Sequence, residues 1–233
     1  MSSIADTLTH VRQQILMAER QFNRPANSVQ LLAVSKMQPK TAIINAIKAG
    51  QTCFGENYVQ EAVEKIQALR VDYPQVEWHF IGALQTNKTR VIATHFHWVH
   101  TLDNLKQAKR LSEQRPQILP PLQVCIQVNI SAEPQKAGVS VADVPALALA
   151  IQTLPNIKLR GLMAIPAPAA DFTTQCQPFH LLNEMLQQLQ AQGLSLDTLS
   201  MGMTDDMQAA IAQGATIVRI GTAIFGARSA KTE

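Results

Sequence analysis

A regular alternation of two kinds of segment narrows the fold more than any other feature of this chain. Eight short apolar runs, at 31–35, 52–55, 77–82, 97–101, 122–130, 158–163, 196–201 and 216–220, have the length of strands. Between them lie stretches with apolar residues at helical spacing, at 39–49, 57–69, 86–94, 103–114, 141–153, 175–192 and 204–213. Strand followed by helix, repeated, requires parallel strands joined by helical crossovers. The runs are apolar throughout rather than alternating, as in strands covered on both faces. Eight such units predict an α/β fold, a closed (β/α)8 barrel of the TIM type. An open doubly wound sheet is the alternative. One further amphipathic helix precedes the first strand at 4–22, with Ile4, Leu8, Val11 and Ile15 near one face.

Local signals agree with this division. Pro39 stands at the first turn of one helical stretch and Gly50 just past its end, and Gly193 and Gly214 close two others. No Pro-, Gly- or Ser-rich linker divides the chain, so residues 1–233 are expected to form a single barrel domain, with the Pro- and Ala-rich stretch up to Ala170 as a loop. A hydrophobic content of 46% excludes disorder as a description of the whole chain. Twenty basic residues against 17 acidic ones, without a Lys/Arg stripe, give no nucleic-acid signature. Apolar runs are far shorter than the roughly 20 residues of a membrane helix, and the first ten residues lack the features of a secretory signal. A cytoplasmic protein is expected. Cys53, Cys125 and Cys176, and the nearby His95, His97 and His100, show no metal-ligand spacing, so no metal is expected.

Barrels of this kind place their chemistry at the C-terminal ends of the strands. Lys36 directly follows the apolar run LLAVS. An amine there is partly desolvated, which favours the neutral form that attacks carbonyls. The alternative is a lysine that carries its head out to solvent. The last two strands end in Ser200-Met-Gly-Met and Arg219-Ile-Gly-Thr, where Gly202 and Gly221 let an anion approach backbone N–H groups. Plain turn glycines are the competing reading. Arg219 sits within an apolar strand and needs a partner, which is a phosphate, a pyridine nitrogen or a protein carboxylate. His79 fits a hydrogen-bonded core histidine better than a ligand or base. Met163, Met201 and Met203 are placed to line a pocket. One amine, one anion cradle and one buried guanidinium suit an aldehyde-bearing phosphorylated ligand. Pyridoxal 5′-phosphate (PLP) matches all three, and the substrate of a Schiff-base phosphosugar aldolase matches two.

Long motifs carry a resemblance. LLAVSK at 31–36, FGENYVQEA at 54–62, WHFIGALQTNK at 78–88, RGLMAIPAP at 160–168, LSMGMTDDMQAAI at 199–211 and VRIGTAIFGAR at 218–228 resemble, in register over the whole chain, the pyridoxal phosphate homeostasis protein family. That family is similar to the barrel domain of fold-type III PLP enzymes such as alanine racemase. The resemblance implies that Lys36 forms a Schiff base with PLP and that Ser200, Gly202, Gly221 and Thr222 hold the phosphate. It places Arg219 at the pyridine nitrogen, and Asn57, His79 and Met163 around the ring. Some bacterial members carry a second lysine where this chain has Gln38, with Lys40 as the nearest amine. Lys136 matches a lysine of relatives and is a candidate secondary site.

A two-base racemase needs an acid or base on the opposite face of its substrate. Fold-type III enzymes draw it from a separate β-domain and a dimer partner. This chain ends about a dozen residues after its eighth strand run. The expectation is therefore a monomeric carrier for intracellular PLP (vitamin B6) homeostasis, with apo PLP-dependent enzymes as candidate partners and no catalytic residue. The alternative is a small amino-acid racemase using His79 as base.

Overall fold

The computed structural model describes residues 2–131, 133 and 135–226. Met1, Ala132, Pro134 and 227–233 lie outside the described residues, as do the extreme ends of the expected 1–233 domain and the last two residues of the final motif. Eight parallel strands close into a barrel in sequence order. They are β1 (Gln30–Val34), β2 (Cys53–Glu56), β3 (Glu77–Phe80), β4 (Trp98–Leu102), β5 (Leu122–Gln127), β6 (Ile157–Met163), β7 (Thr198–Ser200) and β8 (Ile217–Ile220). The outer layer is α2 (Lys40–Lys48), α3 (Val59–Leu69), α4 (Thr89–His95), α5 (Leu105–Gln114), α6 (Val144–Gln152), α7 (Phe172–Ala191), α8 (Met207–Ala212) and the short α9 (Thr222–Phe225), preceded by α1 (Ile4–Gln21). The barrel reading holds, and the open sheet is excluded by the β1–β8 ladder, in which Gln30 to Ala33 pair with Ile217 to Ile220. No described helix is long and apolar enough to cross a membrane.

The main core lies between the outer faces of the strands and the helices. Phe54, Phe80, Val99, Val124, Leu199 and Val218 are fully or almost fully buried there against Ile43, Ala62, Ile92, Leu111, Ile151 and Leu182. A residue of this size contributes about 1.5–3 kcal/mol on burial. The inside of the barrel is different. It holds two small apolar groups, Leu32 with Cys53 and Ile217, and Trp98 with Cys125 and Met163. Polar side chains fill the rest.

The first helix braces the part of the barrel that matters below. Ser3 caps α1 through a reciprocal pair with Asp6, the Ser3 amide donating at 2.9 Å and the Asp6 amide at 3.2 Å. Leu8, Val11, Ile15 and Ala18 form its buried stripe. Thr7 Oγ1 donates to the Ile224 carbonyl at 2.8 Å, tying α1 to α9, and Arg24 donates to the carbonyls of Ile211 and Ala215.

Several boundaries differ from expectation, three of them for a clear local reason. The fifth strand run stops at Gln127 rather than 130, because the chain turns to pair with the next segment, with Asn129 N donating to Val139 O and Val139 N to Gln127 O. α7 begins at Phe172 rather than 175, because the Asp171 carboxylate caps the Thr174 amide at 2.9 Å. α8 begins at Met207 rather than 204, because the Asp206 carboxylate folds back onto the Met203 amide at 2.6 Å.

Candidate functional site

β7, β8, β1 and β2 are consecutive around the barrel, so the segments leaving their C-terminal ends converge on one arc of its mouth. Lys36 stands two residues beyond β1, Asn57 one beyond β2, Gly202 two beyond β7 and Gly221 one beyond β8. Thr222 opens α9. Ladder contacts hold these segments in register, with Ser35 N donating to Gly55 O and Arg219 N to Gly202 O, both at 2.9 Å. One turn requires glycine and a second is tightly packed at its glycine. Gly202 has φ +95°, and a Cβ there would fall 2.6 Å from Ala210 Cβ. A Cβ on Gly221 would lie 3.2 Å from the Val34 carbonyl, where β8 presses against β1. Asn57 is partly buried, and its side-chain oxygen is buried without a hydrogen-bond partner.

Both neighbours of Lys36 are held from behind. Ser35 is fully buried and its hydroxyl donates to Glu56 Oε1 at 2.6 Å. The Lys65 ammonium, 4% exposed, reaches up from α3 and donates to the Ser35 carbonyl (2.8 Å), to Glu56 Oε1 (2.8 Å) and to Glu61 Oε1 (2.5 Å). Glu61 also accepts from the Met37 amide at 2.6 Å, which fixes Met37 at φ +61°. Burial pushes the Glu56 carboxyl up, and Lys65 opposes that shift. Sequence reasoning missed Lys65. The one available signal, Glu61 and Lys65 four apart on a helix, ordinarily marks an exposed pair.

A second network crosses the barrel interior. Arg219 Nη1 donates to the Ser200 carbonyl (2.6 Å) and hydroxyl (2.9 Å), and Nη2 donates to the Ala164 carbonyl (3.0 Å). Those acceptors lie at the ends of β7 and β6, so the guanidinium sits just under the mouth. The Ser200 hydroxyl hydrogen-bonds His100 Nδ1 at 2.7 Å, and His100 Nε2 hydrogen-bonds His79 Nδ1 at 2.9 Å. β4 and β7 are not neighbours, so the His100–Ser200 contact spans the interior. His79 also stacks on Trp98, with ring centroids 5.4 Å apart. Among the described residues no carboxylate lies within ion-pair distance of Arg219. Burial lowers its pKa to about 10, opposed by the charge of Asp206, so it remains a cation at neutral pH.

These placements divide the expected site residues into two groups. Lys36, Asn57, Gly202, Gly221 and Thr222 share the mouth, with Arg219 beneath them. The side chains of Ser200, His79 and Met163 turn into the barrel: the Ser200 hydroxyl is committed to Arg219 and His100, and Met163 packs on Trp98 and Cys125. Met203 is exposed. Lys40 is exposed on the first turn of α2, and Lys136 pairs with Glu133 at 2.8 Å.

The interior network makes stability pH-dependent. Burial lowers the pKa of His79 and, well below the usual value, that of His100, where His79 and Arg219 add to the effect. Both stay neutral in the fold while the unfolded chain takes up protons below about pH 6.5. Their stabilisation is therefore complete above that pH and is lost as pH falls towards the native values, at up to about 1.4 kcal/mol per pH unit for each imidazole. Glu56, with its raised pKa, acts in the opposite sense. Urea midpoints should fall between about pH 7.5 and pH 5.5, and the fall should be smaller in His100→Gln. A flat wild-type profile would contradict this.

The fold is a closed (β/α)8 barrel, and the alanine racemase N-terminal domain model matches residues 8–229. By that match and by its full-length relatives, the chain belongs to the pyridoxal phosphate homeostasis protein family. A Vibrio alginolyticus protein named "Pyridoxal phosphate homeostasis protein" is 55% identical over 230 residues, covering 98% of this chain and 99% of that protein. The solved structure of PipY from Synechococcus elongatus with PLP bound is 38% identical, with a TM-score of 0.84, covering 96% of this chain and 100% of that one. Alanine racemase from Corynebacterium glutamicum, 16% identical with a TM-score of 0.68, shares the fold, and the matched region spans 62% of that chain.

Proposed function

We propose that this chain binds PLP at the β7–β8–β1–β2 mouth and serves in its homeostasis, holding the cofactor and releasing it to apo-enzymes. The observation that carries this is the meeting of an amine, Lys36, with the Gly202 and Gly221 turns above a buried guanidinium that, among the described residues, has no carboxylate in ion-pair range. The residues fit the group. Bound there, PLP supplies an aldehyde, a phosphate and an aromatic ring nitrogen. Lys36 is the covalent attachment point for the aldehyde. The Gly202 and Gly221 turns, with Thr222, offer backbone and hydroxyl donors to the phosphate. Asn57 would offer the cofactor a buried, unpartnered side-chain oxygen. Arg219, a buried cation, would disfavour protonation of the ring nitrogen, which would weaken electron withdrawal by the ring and so disfavour carbanion chemistry. The PLP-bound PipY structure and the names of the full-length relatives support this reading.

Racemisation has less support. His79, the base it would use, is fully buried inside the barrel and its Nδ1 is taken by His100. The test is transfer. The loaded protein, mixed with the apo form of a PLP-dependent enzyme, is expected to restore that enzyme's activity while its own cofactor absorbance falls. Incubated with L- or D-alanine, it is expected to leave the isomer unchanged. Failure to retain PLP through gel filtration, or sustained racemisation, would overturn the proposal.

A further inference from the structure

The opposite end of the barrel holds a cluster that cofactor binding leaves unused. β2 and β3 pair so that Cys53 stands beside Glu77 and Gly55 beside His79. Alternate residues of a strand share a face, so Cys53, Glu77 and His79 project together at the N-terminal end of the interior. Cys53 Sγ lies 3.9 Å from Glu77 Oε2, and His79 Nε2 lies 3.8 Å from the same oxygen. All three ligand atoms fall within 4.8 Å of one another. His79 is fully buried, and its Nε2 has no hydrogen-bond partner although it points at Glu77. A buried polar atom of this kind costs stability unless something fills its need.

We infer that Cys53, Glu77 and His79 form a binding site for a borderline divalent cation of the Zn2+ or Co2+ type. Sulfur, imidazole nitrogen and carboxylate oxygen are the donor set such ions take, and three protein ligands leave one position for water. Zinc bonds of about 2.0–2.3 Å place tetrahedral ligand atoms roughly 3.3–3.7 Å apart. The cluster therefore needs to contract by only a few tenths of an ångström between its closer pairs.

The surroundings match a ligand site. His79 Nδ1 is bonded to His100, so when it donates that proton Nε2 presents its lone pair; outer hydrogen bonds orient metal-bound histidines in this way. Gln30 Nε2 donates to Cys53 Sγ at 2.9 Å, a contact that favours the thiolate. Burial pushes the Cys53 thiol up, so uptake of the ion expels the thiol proton to solvent as the sulfur–metal bond forms. Glu77 is half exposed, and a cavity of about 270 Å3 between α1 and the starts of β1 and β2 has Gln30, Thr52 and Cys53 on its wall. The ion has a route in. Cys53 and Glu77 are far apart in sequence, so no spacing motif announces the site; the strand register creates it.

Cobalt titration of the full-length protein tests the assignment. One Co2+ per chain should give the visible bands of tetrahedral cobalt and a near-ultraviolet sulfur-to-cobalt band, both removed by Zn2+. Cys53→Ser should abolish the sulfur band, and it and Glu77→Gln should each weaken binding at least tenfold, since loss of an outer partner of a metal ligand alone costs about 10–100-fold. Absence of these bands at one equivalent of Co2+, or a sulfur band that survives Cys53→Ser, would overturn the assignment.

Discussion

Replacing Lys36 with Ala is expected to weaken PLP binding about 100-fold or more, equivalent to about 2.7 kcal/mol. The amine is the one group at this mouth that the account assigns to a covalent bond, so its loss leaves the glycine turns, Asn57 and Arg219 to hold the cofactor by non-covalent contacts alone. Lys36 is partly buried, between neighbours held by other residues. Titration of the cofactor-free chains with PLP checks this result. Unchanged affinity in Lys36→Ala would remove the amine from the site.

Lys65→Met is expected to be the most damaging single change to the folded chain. Glu56 is fully buried, and Lys65 is its cationic partner. Removing one member of a buried pair typically costs about 3–5 kcal/mol, because the other charge stays desolvated and uncompensated. For a chain of this size that corresponds to a fall in Tm of roughly 10–15 °C. The double variant Lys65→Met with Glu56→Gln should recover most of the loss, since the buried charge goes with its partner. The deficit of the single variant should also narrow as pH falls. Without Lys65 the folded-state pKa of Glu56 rises further, so the fold binds a proton that the unfolded chain does not, and stability increases towards about pH 5. The Lys36 segment should suffer as well, because Ser35 O and Glu61 both lose the ammonium. A Tm drop under about 3 °C would show that the pair contributes little.

The barrel was legible in the sequence because its signal is global: eight apolar runs, seven helical stretches between them and glycines where helices stop. The mouth was legible because Lys36, Gly202 and Gly221 directly follow strand runs, and the end of a barrel strand is a position that the strand run itself defines. The direction of side chains within the strands was not legible. β7 is three residues long, and its residues are buried on both faces, so no alternation marks which face Ser200 takes. The expectation that its hydroxyl grips phosphate met a side chain already bonded to Arg219 and His100. The pairing of His79 with His100 depends on the β3–β4 register, which sets His79 opposite Trp98, and nothing local to either residue encodes it. Lys65 was missed for a related reason. Helical spacing shows that it neighbours Glu61, but only the packing of α3 against the ends of β1 and β2 shows that its ammonium is buried.

The central claim is that the Lys36 amine is where this chain holds PLP. Borohydride reduction of the loaded protein, followed by proteolysis and mass mapping, tests it most directly. One pyridoxyl phosphate adduct per chain is expected, on the peptide containing Lys36. Predominant labelling of another lysine, such as Lys40 or Lys136, or a loaded protein that gains no mass on reduction, would contradict it.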